Sequence, residues 1–84
     1  MTDEEFDIID ELYFVTAYND LREATDLSDD QLRINLIRMA NKGWVRVYKN
    51  VDEESEIEQL DMEKDYRSYY YLASKKGLFE HNTQ

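Results

Sequence analysis

The stretch between Ser28 and Lys49 restricts the fold of this chain more than any other part of the sequence. Ser28 and Gln31 form the S-x-x-Q pattern of a capping box, in which two side chains bond each other's backbone N–H groups at a helix start. Gly43 is the residue typical of a helix end. The residues after it, through Lys49, are rich in β-branched and aromatic side chains. The stretch therefore predicts a helix that turns directly into a strand.

The apolar spacing of this helix predicts that one face is buried. Leu32, Leu36 and Met39 recur at i, i+4 and i+7, an apolar stripe that other helices must cover. We expect the first of these covering helices to begin at Thr2, where Glu5 completes another capping box.

A second, short covering helix is predicted after Asn19-Asp20, the expected N-cap, with Leu21 and Ala24 facing the core.

After the first strand, the sequence predicts a second strand and a short terminal helix. The second strand is expected over Tyr66 to Ala73, and Ser74 is expected to cap the helix. The intervening residues 50–65 are long for a hairpin loop. Ile57 and Leu60, at i and i+3, allow a helical turn in this segment, whereas an extended loop explains it equally well.

Charge is divided into blocks along the chain. The formal net charge is -10, from 20 acidic and 10 basic residues. Residues 31–51 carry five bases and no acid, whereas eleven acids precede them and eight follow in 52–66. Disorder is the alternative for so charged a chain, but 42% of its residues are hydrophobic and regularly spaced. We therefore expect a folded, negative body with one positive stripe, which disfavours DNA as the partner.

Length and composition exclude other classes of protein. The 84 residues predict one small domain, 1–84, of marginal stability, so we expect either one compact core or a dimer. The absence of cysteine excludes disulfides and thiolate sites. The acidic start of the chain is unlike a secretory signal, and no apolar run approaches the ~20 residues that span a bilayer. These features predict a cytoplasmic protein without membrane contact.

The order of elements and the residues at the turns and helix ends between them resemble a known superfamily. Residues Leu21 to Leu32, continued by Leu36, Met39 and Lys42 to Val45, are similar to winged helix-turn-helix transcription regulators, and Tyr71 to Gly77 resembles the end of many bacterial members. The resemblance implies an α+β fold with three helices, a β-hairpin wing and a short C-terminal helix. In such proteins the third helix enters the DNA major groove. Asp26 replaces the usual turn glycine, and the predicted wing is acidic where DNA-binding members are commonly basic.

The resemblance implies a candidate nucleic-acid interface on the third helix and the following strand. Arg33 and Arg38 would contact the DNA bases, and the remaining basic residues would contact phosphates. The full candidate set is Gln31, Arg33, Arg38, Lys42, Arg46 and Lys49. Asp29, Asp30 and the acids of 52–66 would repel phosphates, and the bases equally suit a solvated face paired with neighbouring acids. DNA binding is therefore the alternative function.

Protein contact is the leading expectation. Ile34 and Ile37 lie opposite the buried stripe and would expose apolar surface unless the 50–65 segment or a partner covers them. In an extended strand Tyr69 and Tyr71 share one face, which offers aromatic area typical of interfaces. The candidate partner-binding residues are Ile34, Ile37, Arg38, Asn41, Tyr69 and Tyr71. They predict a regulatory module that acts as a homodimer or an adaptor.

No enzymatic chemistry is predicted. The one histidine, His81, is three residues from the end and is expected in a solvated tail. Counted from Asp52, a calcium-binding loop would need glycine where Ile57 stands. The two glycines cannot build a phosphate-binding loop. The sequence therefore predicts no catalytic residue, cofactor, metal or small-molecule site.

Overall fold

The computed structural model describes residues 1–83, and helices α1 and α3 begin where the capping boxes predict. Helix α1 spans Asp3–Asp10, strand β1 Thr16–Ala17, helix α2 Tyr18–Thr25 and helix α3 Asp29–Asn41. In α1 and α3 both reciprocal bonds of the capping box are present. The predicted stripe of Leu32, Leu36 and Met39 is fully buried.

Helix α2 begins earlier than predicted. Its N-cap is Ala17, because β1 runs directly into the helix, so Asn19 and Asp20 lie within the first turn. Leu21 is buried as predicted, but Ala24 is exposed, so the prediction that it faces the core is wrong. The helix ends at Thr25, and its C-cap Asp26 has a left-handed φ of 58°, which confirms that aspartate can replace glycine at this turn.

The sheet is antiparallel and has four strands, with β2 at Val45–Asn50, β3 at Glu53–Ser55 and β4 at Tyr70–Ala73. The spatial order is β1-β4-β2-β3. Strand β2 therefore forms a hairpin with β3 and pairs with β4 on its other edge. Strand β3 was not predicted from the sequence; it lies inside the segment 50–65, where a helical turn and an extended loop were the alternatives.

Residues 56–69, hereafter the return segment, connect β3 to β4. The segment contains a 3₁₀ turn at Ile57–Gln59, the four-residue helix α4 at Met62–Asp65 and a 3₁₀ turn at Tyr66–Ser68. The allowed helical turn at Ile57 is therefore present, but the predicted strand is shorter because its first residues form a 3₁₀ turn. Met62 and Tyr66 are buried, so apolar side chains fix this acidic segment to the core.

Helix α5, Lys75–Asn82, closes the chain against α1. The Ser74 side chain caps it by accepting from the Gly77 N–H at 3.0 Å, as predicted. His81 is buried and not in a solvated tail, which corrects the prediction for this residue. Its ring stacks on Phe6 with centroids 3.9 Å apart, and its Nε2 lies 2.7 Å from Asp10 Oδ1. Within residues 1–83 no helix has the length and apolar character needed to cross a membrane.

Candidate interaction surface on helix α3

Helix α3 lies between two acidic segments of its own chain. The N-terminal turn of α1 supplies Glu4 and Glu5 to one side of the helix. The return segment supplies Glu63 to another side. The bases of α3 therefore have carboxylate partners within the fold, which decides how much of this helix is open to other molecules.

Glu5 is the buried carboxylate of the first side. Its Oε1 accepts the Thr2 N–H at 2.7 Å, and its Oε2 lies 3.1 Å from Arg38 Nε and 4.0 Å from Lys42 Nζ. Burial raises the pKa of Glu5, but the Thr2 backbone N–H and the Arg38 guanidinium outweigh it and hold this pKa below its ordinary value. Arg38 and Lys42 thus stabilise a capping carboxylate that would otherwise be buried without a counter-charge.

Asn35 joins this network and was missed by the sequence analysis. Its Nδ2 donates to Glu4 Oε1 at 2.9 Å and to the Gln31 carbonyl at 2.7 Å, and its Oδ1 accepts from Arg38. The available signal was a polar residue directly before Leu36 in the buried stripe. The Gln31 side chain accepts from the Ser28 N–H and donates to Glu4, so its role is capping.

Arg33 is held on the second side. Its Nη1 donates to Glu63 Oε2 at 3.0 Å and its Nη2 to Asp30 Oδ1 at 3.3 Å. Burial lowers the pKa of the Arg33 guanidinium, but the two carboxylates more than offset this and raise it above its ordinary value. This pair joins α3 to the return segment.

The bases of the β2–β3 hairpin differ from one another. Arg46 Nη2 lies 2.5 Å from Glu54 Oε1, and this bond raises the pKa of Arg46 and lowers that of Glu54. Lys49 is exposed and makes no ion pair within residues 1–83. Five of the six candidate nucleic-acid contacts therefore have a carboxylate of this chain within 4.0 Å, and Lys49 has none within residues 1–83.

The two tyrosines proposed for partner contact do not face outward. Tyr69 is 7% exposed and Tyr71 is 0% exposed, so the prediction that they form an open aromatic face is wrong. Tyr71 is paired with the buried Val47, and its hydroxyl donates to the Tyr66 carbonyl at 2.7 Å. Burial raises the pKa of Tyr71. The half-buried Tyr70 lies on the outer face of the sheet instead.

The remaining partner candidates lie along one outward line of α3. Ile34 is 50% exposed and Asn41 is exposed, whereas Ile37 is partly buried against the core. With Asp30 they form the i, i+4, i+7, i+11 series that we call the α3 stripe: Asp30, Ile34, Ile37 and Asn41. The candidate Arg38 lies beside it and is engaged with Glu5.

A groove of about 300 Å³ lies beside the C-terminal end of α3, between that helix and the β2–β3 hairpin. Its apolar lining is Ala40, Val45, Val47 and Ile57, and Arg46 and Glu54 lie at its polar part. Helix α3 contributes Ala40 to this lining, and no residue of the α3 stripe is part of it.

Comparison with known proteins gave no family assignment: no family model matches the sequence, and no curated protein or solved structure is significantly similar to it. Within residues 1–83, no group of three or more His, Cys, Asp or Glu side chains is arranged to hold a metal ion.

A second cluster at the start of α3 was also missed by the sequence analysis. The Asp29 carboxylate accepts from the Tyr18 and Tyr66 hydroxyls, both at 2.6 Å, and from Arg67 Nη2 at 2.7 Å. Arg67, followed by the two hydroxyls, holds the pKa of Asp29 well below its usual range. The Asp29 cluster joins α2, α3 and the return segment. The one sequence signal for it was the position of Asp29 in the first turn of a predicted helix.

Proposed function

We propose that this protein is a non-enzymatic regulatory module of winged-helix type that acts by protein contact through the α3 stripe. The order α1-β1-α2-α3-β2, with β1 paired to the last strand, supports the winged-helix assignment. The third strand β3 and the folded return segment are departures from that plan.

One observation carries the choice of protein over DNA. The bases of α3 already pair with acids of the same chain: Arg33 with Glu63, and Arg38 with Glu5. Phosphate contacts would require these pairs to open or to accept a phosphate beside a carboxylate. Each phosphate neutralised adds only about 0.9 to the salt slope of binding, so a few partly engaged bases give weak attraction.

The α3 stripe suits a second copy of this chain. Its members are symmetric about the midpoint of the helix, so two antiparallel α3 helices related by a two-fold axis would place Ile34 of each copy against Ile37 of the other. The same arrangement brings the Asp30 carboxylate to the Asn41 amide, which can donate to it. A two-fold contact of this kind uses one self-complementary patch, as most homodimers do.

A charge introduced at Ile34 tests this proposal. We expect the wild type to dimerise with rising concentration in analytical ultracentrifugation and Ile34→Asp to stay monomeric with an unchanged circular dichroism spectrum, because the carboxylate would be buried at the interface. Val51→Asp is the matched control, since Val51 is similarly exposed at the hairpin tip, and it should dimerise like the wild type. Ile37 is left intact because it also packs on the core. A wild type that is monomeric at every concentration contradicts the homodimer.

DNA binding is the second candidate, favoured by the element order and by the partial exposure of Lys49, Arg38 and Lys42. Titration of labelled genomic duplex at about 50 mM salt gives the electrostatic attraction its greatest strength. We expect no saturable binding under these conditions. Saturable binding that weakens with added salt and with Arg38→Ala or Lys49→Ala, but not with Lys75→Ala on α5, would replace our proposal with a DNA-binding one.

A further inference from the structure

Two adjacent aromatic side chains protrude from the connection between α1 and β1. Tyr13 is 52% exposed and Phe14 is 83% exposed, the highest value for a large apolar side chain in residues 1–83. We call residues 11–15 the aromatic loop. It lies outside the α3 stripe and has no part in the function proposed above. Exposed phenyl surface is unfavourable in water.

The loop is held in a fixed conformation. The N–H groups of Glu11 and Leu12 donate to carbonyls of α1 at 3.1 and 3.0 Å, and the Leu12 carbonyl accepts the Ala73 N–H at 2.9 Å. Leu12 is fully buried, and the Thr16 hydroxyl donates to the Phe14 carbonyl at 2.7 Å. The aromatic rings are therefore displayed from a backbone anchored on both sides, so a partner would lose little entropy in ordering it.

Acidic side chains surround the loop in sequence on both sides. Asp7 and Glu11 precede the rings, and Asp20 and Glu23 follow on α2, all of them exposed. None of these four forms an ion pair within residues 1–83, unlike the acids that flank α3. The first thirty residues contain a single base, Arg22. The exposed rings therefore lie in a strongly negative part of the sequence, among acids that are themselves exposed.

We propose that the aromatic loop docks a basic segment of a partner protein, one in which arginine accompanies an apolar side chain. A guanidinium can stack on the Tyr13 or Phe14 ring and donate to a neighbouring carboxylate at the same time. The apolar residue of the segment covers the rest of the exposed ring. A second copy of this chain does not fit, because it would bring the same unpaired acids together. Nucleic acid and anionic membrane surfaces are repelled for the same reason.

The test uses the full chain, labelled with nitrogen-15, and a synthetic peptide that alternates arginine and leucine. We expect the peptide to shift backbone amide resonances of residues 10–17 in a saturable manner. Phe14→Ala should weaken binding by about tenfold, as truncation of an aromatic anchor does. Phe79→Ala is the matched control, because Phe79 is a comparably exposed phenylalanine on α5, and it should bind like the wild type. A peptide with glutamate in place of arginine should not bind.

Three results would overturn the docking proposal. Equal affinity of Phe14→Ala and the wild type would mean that net charge alone attracts the peptide. Resonance shifts spread over all acidic regions would mean the same. Concentration-dependent shifts of the loop without peptide would identify a second copy as its occupant. Ile34→Asp separates this inference from the proposed function, because it should lose dimerisation and keep peptide binding.

Discussion

Replacing Gly77 with alanine is expected to destabilise this protein by about 3 kcal/mol, as severe overpacking does. An added Cβ would lie 2.2 Å from the Trp44 carbonyl oxygen and 3.2 Å from Ile9 Cδ1. The Trp44 carbonyl cannot easily move, because it accepts the Ser74 N–H at 2.9 Å where α5 begins. The alanine must therefore push α5 away from the start of β2 or break this bond.

The matched control is Gly43→Ala, at the other glycine. Gly43 has a φ of +79°, but the nearest atom to an added Cβ is Lys76 Cδ at 3.9 Å. Its cost is expected to be backbone strain alone, about 1–2 kcal/mol. Urea unfolding monitored by circular dichroism measures both variants. A loss at Gly77 no greater than that at Gly43 would show that α5 adapts to the extra methyl group without strain.

The parts of the fold that the sequence predicts are those set by local bonds. The capping boxes of Thr2 and Ser28 join residues three positions apart, and both are present. The turn at Asp26 depends on the conformational tolerance of one residue. The buried stripe of α3 follows from helical periodicity, which needs no knowledge of the neighbouring element.

The parts that the sequence does not predict depend on distant contacts. The pairing of Arg38 with Glu5 joins residues 33 positions apart, and Arg33 meets Glu63 across 30 positions. Block charges suggest that such pairs exist but not which residues form them. These ion pairs largely neutralise, within the fold, the positive stripe predicted over residues 31–51.

The prediction that tyrosines of the second predicted strand are exposed was wrong for a different reason. Alternation along a strand fixes which residues share a face but not which face is buried. The sequence alone places Tyr69 and Tyr71 on the opposite face of the strand from Tyr70. Their burial, however, depends on the pairing of Tyr71 with Val47. The proposed interaction surface is consequently smaller than predicted and is confined to α3.

Replacing Asp29 with asparagine is expected to flatten the dependence of stability on acidic pH. The carboxylate receives bonds from Arg67, Tyr18 and Tyr66, and these hold its pKa well below the ordinary value in the folded state. A group with a depressed folded pKa contributes its stability fully above its unfolded pKa, about 4 for aspartate, and loses it as the pH falls through the folded value. Asp29→Asn removes this contribution at neutral pH.

Thermal unfolding between about pH 7 and pH 2 measures this effect, because the linkage acts across the titration of the carboxylate. At neutral pH we expect the midpoint of Asp29→Asn to lie on the order of 10 °C below that of the wild type, because the charged bonds to Arg67 and to two phenols are weakened. The two midpoints should converge as the pH falls.

Glu5 and Glu54, whose pKa values are also lowered, remain in both proteins and do not affect the difference between the two midpoints. The adjacent Asp30→Asn is the control and should follow the wild type, since the Asp30 side chain is 81% exposed and, within residues 1–83, pairs only with Arg33. Parallel curves for Asp29→Asn and the wild type would contradict this prediction. They would mean that the Asp29 carboxylate contributes no stability to the folded state despite the four hydrogen bonds to its oxygens.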